Sequence, residues 1–387
     1  MRFKQLFENR KIGNIITEGG NVRLTTGEEA EKIDLTKADS KVFDELKKGL
    51  LKSFEAINDK FDKQYGYPLW SDFKGLVKSG KIFSGSTRAF FTKPFETFAK
   101  FKPLVGDMDV QVSEESMKDL KEFLDNNIGK KFGDYTWKGY THNGMQYNGL
   151  LQPPKELQYL SNYIQLDFEG TEFADQTPTE FATFGHYSSW EDITKNVKGL
   201  FIKYLMRALS SGIKKDKIAI VGKSGKRLKR ADLQSFYGFS VDKGFRLKIE
   251  PVLDEDGNLV ITDGLPTYKE IPSKTAKYKT DLSEIFSIIF GVIPTEKEKK
   301  DMFSFVRALK LIKKYVSNEK IEEVHDQFVR LLWGKGSQGI ERNNPTADKD
   351  IKMSAYNELI EAFPFLKSKE NKVAEYIEEY YSNYKMS

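Results

Sequence analysis

The chain contains no cysteine and only three histidines in 387 residues. Without cysteine, disulfides, thiolate metal sites and cysteine nucleophiles are excluded outright. His142, His186 and His325 stand far apart and lack ligand spacing, so zinc chemistry is disfavoured. An oxygen-liganded hard cation suits the residues that remain. No apolar run approaches the roughly 20 residues needed to span a bilayer, so no membrane partner is expected. Excess charge is also small: the net value is +5, and the chain as a whole is not a polycation. Its basic character gathers in local runs at 214–217 and 223–230, which can hold phosphates but more often form a solvated face.

What is present describes a well-charged globular protein, with 39% hydrophobic and 31% charged residues. The length supports two domains, or one domain with a large helical extension. The most informative segment is Asp107-Met108-Asp109, inside the apolar string Val105-Gly106-Asp107-Met108-Asp109-Val110-Gln111-Val112. Side chains alternate along a strand, so both carboxylates point to one face, about 7 Å apart. Paired carboxylates at that spacing repel and resist burial, and a strand presenting them usually holds a divalent cation. Upstream, Phe83-Ser84-Gly85-Ser86-Thr87 reads as a strand-to-helix turn of small residues. Downstream, Tyr163-Ile164-Gln165-Leu166-Asp167-Phe168 reads as an apolar strand carrying a third acid, with Glu169 on the same face in reserve.

Two further Asp-x-Asp spacings show how little the motif means alone. Asp254-Glu255-Asp256-Gly257 lies between β-forming runs and reads as a hairpin turn closed by Asp-Gly. Asp348-Lys349-Asp350 sits in a polar stretch with no strand around it. Glycine motifs are similarly weak here. Gly334-Lys335-Gly336-Ser337-Gln338-Gly339 follows a helix rather than a strand, and Gly222-Lys223-Ser224-Gly225-Lys226 lacks P-loop spacing.

The Gly-Ser turn, the paired aspartates and the third aspartate together resemble the active site of the polymerase-beta-like nucleotidyltransferase superfamily. The resemblance covers roughly residues 80–170. It implies an α/β fold with a nucleotidyltransferase core and a mixed β/helical C-terminal extension. It further implies transfer of a nucleoside monophosphate from a nucleoside triphosphate, ATP included, to a hydroxyl acceptor on RNA, protein or a small molecule. Asp107, Asp109 and Asp167 would be the catalytic residues and the ligands for Mg²⁺ or Mn²⁺. Gly85, Ser86, Thr87 and Arg88 would bind the nucleotide phosphates, Gly85 through close backbone approach and the others as donors. The twenty residues between Ser86 and Asp107 exceed the family's usual spacing, as expected of a loop insertion.

Around this core, helical spacing runs through 41–65 (Val42, Leu46, Leu50, Phe54, Ile57, Phe61). Lys81-Ile82-Phe83 reads as a strand, Met117, Leu120, Phe123 and Leu124 mark a buried helical stripe, and 133–150 looks like a hairpin insertion. Residues 181–190, dense in aromatic and polar groups, either recognise a base or acceptor or simply pack. A core helix is expected over 197–209, β structure over 217–262, a Pro- and Lys-rich linker over 264–280 and helices from 281 onward. The expected domains are 19–210 (catalytic), 211–280 (β-rich segment and linker) and 281–387 (helical).

Residues 1–18 look separable: Met1 to Lys11 is basic and amphipathic, and Ile16-Thr17-Glu18 precedes Gly19-Gly20. This start resembles capsid-targeting peptides of large tailed bacteriophages, cleaved after a hydrophobic-x-Glu triplet. The resemblance implies a phage-encoded protein of the host cytoplasm that is packaged in the capsid and delivered with the DNA. An ordinary amphipathic helix would read the same way. The competing functional class is a non-catalytic virion or nucleic-acid-binding protein retaining the fold. A third is a template-independent polymerase using 223–230 as its track.

Overall fold

A computed structural model describes residues 22–144, 146–174, 177–186, 188–211, 215–221, 227–240, 244–272, 275–334, 337 and 345–383. The peptide expected over 1–18 and the basic residues 223–226 lie outside the described residues. The chain forms a mixed α/β structure in two compact units, Met1–Thr179 and Glu180–Ser387.

The first unit is organised by α1 (Ser40–Tyr65). Asp39 caps it by accepting the Val42 amide at 2.8 Å, and Gly66 ends it in the left-handed region. Its buried stripe, including Leu46, Leu50, Phe54, Ile57 and Phe61, follows the expected spacing. Helices α2 (Phe73–Ser79), α3 (Thr87–Thr92) and α4 (Phe95–Phe101) come next. The short strands β1 (Ile33–Asp34) and β2 (Leu104–Val105) pair with each other ahead of the main sheet.

That sheet contains β3 (Asp107–Ser113), β4 (Lys131–Phe132), β5 (Tyr135–Asn143), β6 (Gln146–Gln152) and β7 (Ile164–Thr171), in the order β3-β7-β6-β5-β4. Strands β4 to β7 form an antiparallel meander, and β3 adds to β7 in parallel. Helix α5 (Met117–Asn126) links β3 to the meander and buries Met117, Leu120, Phe123 and Leu124. The segment 133–150 forms the expected hairpin, as β5 and β6, and the hairpin is built into the sheet through the pairing of β6 with β7. Met108, Val110, Val112, Leu166 and Phe168 make the apolar face of β3 and β7. In β6, Gly149 admits the Trp137 indole: a Cβ there would lie 1.9 Å from the ring.

Lys81-Ile82-Phe83 does not form the expected strand. A bridge joins Phe83 to Val110, flanked by Gln111 N–H to Ile82 O and Ser84 N–H to Asp109 O. Gly85, in the left-handed region (φ +50°), then turns the chain toward α3. Strands β8 (Phe173–Ala174) and β9 (Thr177–Pro178) close the unit.

The second unit begins with α6 (Glu180–His186), α7 (Trp190–Thr194) and α8 (Leu200–Ser211). Its β region comprises β10 (Lys215–Val221), β11 (Arg227–Ser235), β12 (Tyr237–Ser240), β13 (Gly244–Leu247), β14 (Ile249–Pro251), β15 (Ile261–Thr262), β16 (Leu265–Glu270) and β17 (Tyr278–Lys279). Helices α9 (Leu282–Phe290), α10 (Glu296–Asp301), α11 (Phe305–Tyr315), α12 (Asn318–Trp333), α13 (Pro345–Ala362) and α14 (Glu370–Ser382) complete it. One core unites Phe201, Leu205, Phe245, Phe286, Leu309 and Phe328. Helix α8, expected inside the first domain, thus packs in the second, and the β segment shares a core with the helices.

The stretch 264–280 is not a plain linker, because β16 lies inside a sheet ordered β11-β10-β16-β14. Pro266 is tolerated since the ladder with β10 starts only at Thr267. Among the described residues, no helix is long and apolar enough to cross a membrane.

Candidate metal centre

The parallel register of β3 and β7 sets Asp109 directly opposite Asp167 and Asp107 opposite Gln165. Alternation then puts Asp107, Asp109, Gln165, Asp167 and Glu169 on one face, opposite the apolar one. One carboxylate oxygen from each of Asp107, Asp109 and Asp167 lies within 4.8 Å of the other two. Asp107 and Asp109 are half-buried, while Asp167 is only 2% exposed. Like charges at this separation repel by about 3–4 kcal/mol per pair at an effective dielectric constant of 20.

The electrostatics reflect that strain. Desolvation pushes the Asp109 carboxyl well above the ordinary carboxylate range, Asp107, Glu169 and Asp167 push it further, and only Lys102 opposes them. Asp167 is raised by desolvation and by Asp107, against the hydrogen bonds from Gln165. Other buried acids in the chain have a structural use. Asp192 accepts the Phe305 and Val306 amides at the start of α11, and Asp348 pairs with Lys352 and Tyr381 within the second unit. Asp254 closes its hairpin turn by accepting the Asp256 and Asn258 amides. Among the described residues, Asp107, Asp109 and Asp167 form the one acid group whose geometry suits a metal ion. The chain matches no family model, and no curated protein or solved structure gives a significant match.

The turn expected to cradle phosphates lies against this group. A Cβ on Gly85 would sit 2.9 Å from Asp109 Oδ2, so only glycine lets the backbone pass so close to the carboxylate. Ser86 accepts a hydrogen bond from Lys102 Nζ. Thr87 is fully buried, and its hydroxyl accepts the Asp109 amide at 2.9 Å, fixing the turn to β3. Arg88 donates to the Ser79 carbonyl at 3.1 Å. Of the four turn residues, Gly85, Ser86 and Thr87 are thereby linked to Asp109 or Lys102.

Lys102 and a set of side-chain amides were not singled out from sequence. Gln165, fully buried, donates to both Asp167 oxygens at 3.0 and 2.9 Å, and its own oxygen accepts the Val22 amide. Gln146 adds a longer bond of 3.3 Å to Asp167 Oδ2. Period-two alternation with Asp167 was the available signal for Gln165. No comparable signal exists for Lys102, which reaches the site from beyond α4. The buried atoms Ser84 Oγ, Gln111 Nε2 and Asn148 Oδ1 lack hydrogen-bond partners. Asn148 is the register partner of Asp167, and the Ser84 amide bonds to the Asp109 carbonyl. Such orphaned polar atoms beside an acid cluster fit a hydrated ion or polar ligand. Residues 181–190 belong to the second unit, where Phe181 and Phe184 are core residues.

Proposed function

We propose that this protein is a Mg²⁺- or Mn²⁺-dependent nucleotidyltransferase that moves a nucleoside monophosphate from a nucleoside triphosphate to a hydroxyl acceptor. The observation carrying this reading is the convergence of Asp107, Asp109 and Asp167 within 4.8 Å on two in-register parallel strands, beside a Gly-Ser turn. An all-oxygen donor set of this kind suits hard divalent cations rather than zinc. Bound there, such cations would neutralise phosphate charge and stabilise attacking and leaving oxygens.

The chain's own groups would supply the remainder. The backbone at Gly85 gives phosphate oxygens close access to the carboxylate edge. Lys102, held on the Ser86 hydroxyl, adds positive charge at the same turn. Gln165 fixes the orientation of Asp167, which would help hold the cation and orient or activate the acceptor hydroxyl.

The test is transfer of label from each α-labelled triphosphate into a cell lysate, with RNA and protein then separated. Wild-type protein should label one of these pools. The Asp107→Asn/Asp109→Asn variant should lose at least about a thousandfold of that activity while melting as a folded protein. Full activity in the double variant would overturn the site assignment. If calorimetry detects no metal-dependent triphosphate binding, the chain is a non-catalytic protein retaining the fold.

A further inference from the structure

The first unit carries a second feature unrelated to its acid cluster. Between α1 and α2 runs an open groove of about 560 Å³. Its floor is apolar: Leu51 from α1, Phe73 and Val77 from α2, and Phe91 from α3, all half-buried. Phe91 is backed by a stacked Phe83 ring at 4.4 Å, so that part of the floor is firm.

The walls are basic. Lys48 and Lys52 are one helical turn apart on α1, and Lys74 and Lys78 one turn apart on α2, with Lys47 at the side. Two acids, Asp44 and Glu55, also line the groove, and Lys74 lies 3.7 Å from Glu55. Among the described residues, no carboxylate forms an ion pair with the exposed Lys48, Lys52 or Lys78. Like charges one turn apart on a helix destabilise it slightly, and of these four lysines Lys74 alone has a carboxylate within 4 Å among the described residues.

We propose that this groove docks an amphipathic acidic helix of a partner protein. An apolar trough bounded on both sides by lysines one turn apart complements a helix with apolar residues at i, i+3/i+4 and i+7 and acids on both flanks. A nucleic-acid backbone would satisfy the lysines but leave the aliphatic floor without a matching surface. The assignment is independent of the nucleotidyltransferase reading.

The experiment is fluorescence anisotropy on the full chain with a labelled synthetic helix of about 18 residues, long enough to be marginally helical alone. The helix has leucines on one face and glutamates on both flanks. A scrambled peptide and a labelled oligothymidylate of equal length serve as controls. The patterned helix should bind saturably and the scrambled one at least about tenfold more weakly. Lys48→Glu/Lys52→Glu/Lys78→Glu should weaken binding at least about tenfold, and Val77→Asp should do likewise, with unchanged circular dichroism. The milder Lys48→Ala/Lys52→Ala/Lys78→Ala variant guards against misfolding and should show the same direction. Asp107→Asn/Asp109→Asn should bind as wild type does, which separates this test from that of the catalytic reading. Affinity unchanged by the lysine and Val77 variants, or oligothymidylate displacing the helix, overturns the proposal.

Discussion

At Gly85 two constraints meet in one residue, a positive φ and a carboxylate oxygen where a side chain would begin. Alanine there costs about 1–2 kcal/mol for the left-handed backbone alone. It must also push Asp109 aside, so Gly85→Ala should weaken Mn²⁺ binding in calorimetry by more than its loss of thermal stability explains. Gln165 governs Asp167, two residues along the same strand. Replacing it with leucine strips both carboxamide bonds from a buried carboxylate, at a cost of about 1–3 kcal/mol in denaturant unfolding. The same change should raise the Asp167 pKa further, because the hydrogen bonds that favour its ionised form are gone. A stability unchanged by Gln165→Leu would show that the amide does not support Asp167.

Among the elements, α12 carries a pH response that can be worked out in sign. His325 is 2% exposed, and burial lowers its pKa despite the Asp326 carboxylate at 2.9 Å from Nδ1. The carboxylate only accepts, so Nδ1 bears the proton of the neutral ring. The unfolded chain binds a proton near pH 6.5 that the folded chain resists. Stability from this residue is therefore complete above that pH and declines as pH falls through it. Melting temperatures measured between pH 7.5 and 5 should drop less for His325→Gln than for wild type; parallel curves would refute the assignment.

Elements were legible where their periodicity was long. The α1 stripe and the α5 stripe could be read because apolar residues recur over several turns. Asp107 and Asp109 stood out because alternation inside an apolar strand admits few other readings. Strand β16 was hidden by Pro266 and Lys269, whose composition resembles a linker although the ladder with β10 starts at Thr267. Thr87 was legible as a small turn residue, but its fate was not. A hydroxyl at a turn can serve a ligand or the backbone, and here it holds the Asp109 amide. Lys102 was invisible because only the tertiary path of the chain brings it to Asp109.

For the whole molecule, the acid cluster belongs to one compact unit and the largest helical core to the other. Added Mn²⁺ should slow amide hydrogen exchange most in peptides covering β3 and β7. Protection confined to helices such as α12 would place the ion elsewhere. The parallel register of β3 on β7 has one more consequence, in the order of folding events. Strands β4 to β7 follow one another and can zip as a local meander, whereas α5 and the rest of that meander separate β3 from β7 in the chain. Closing so large a loop spends entropy before any contact rewards it, so this pairing is the slow one. On this argument Asp167 should meet Asp107 and Asp109 late in folding. Until β3 pairs with β7, Asp167 is kept apart from Asp107 and Asp109, so the three cannot capture an ion in a wrong arrangement.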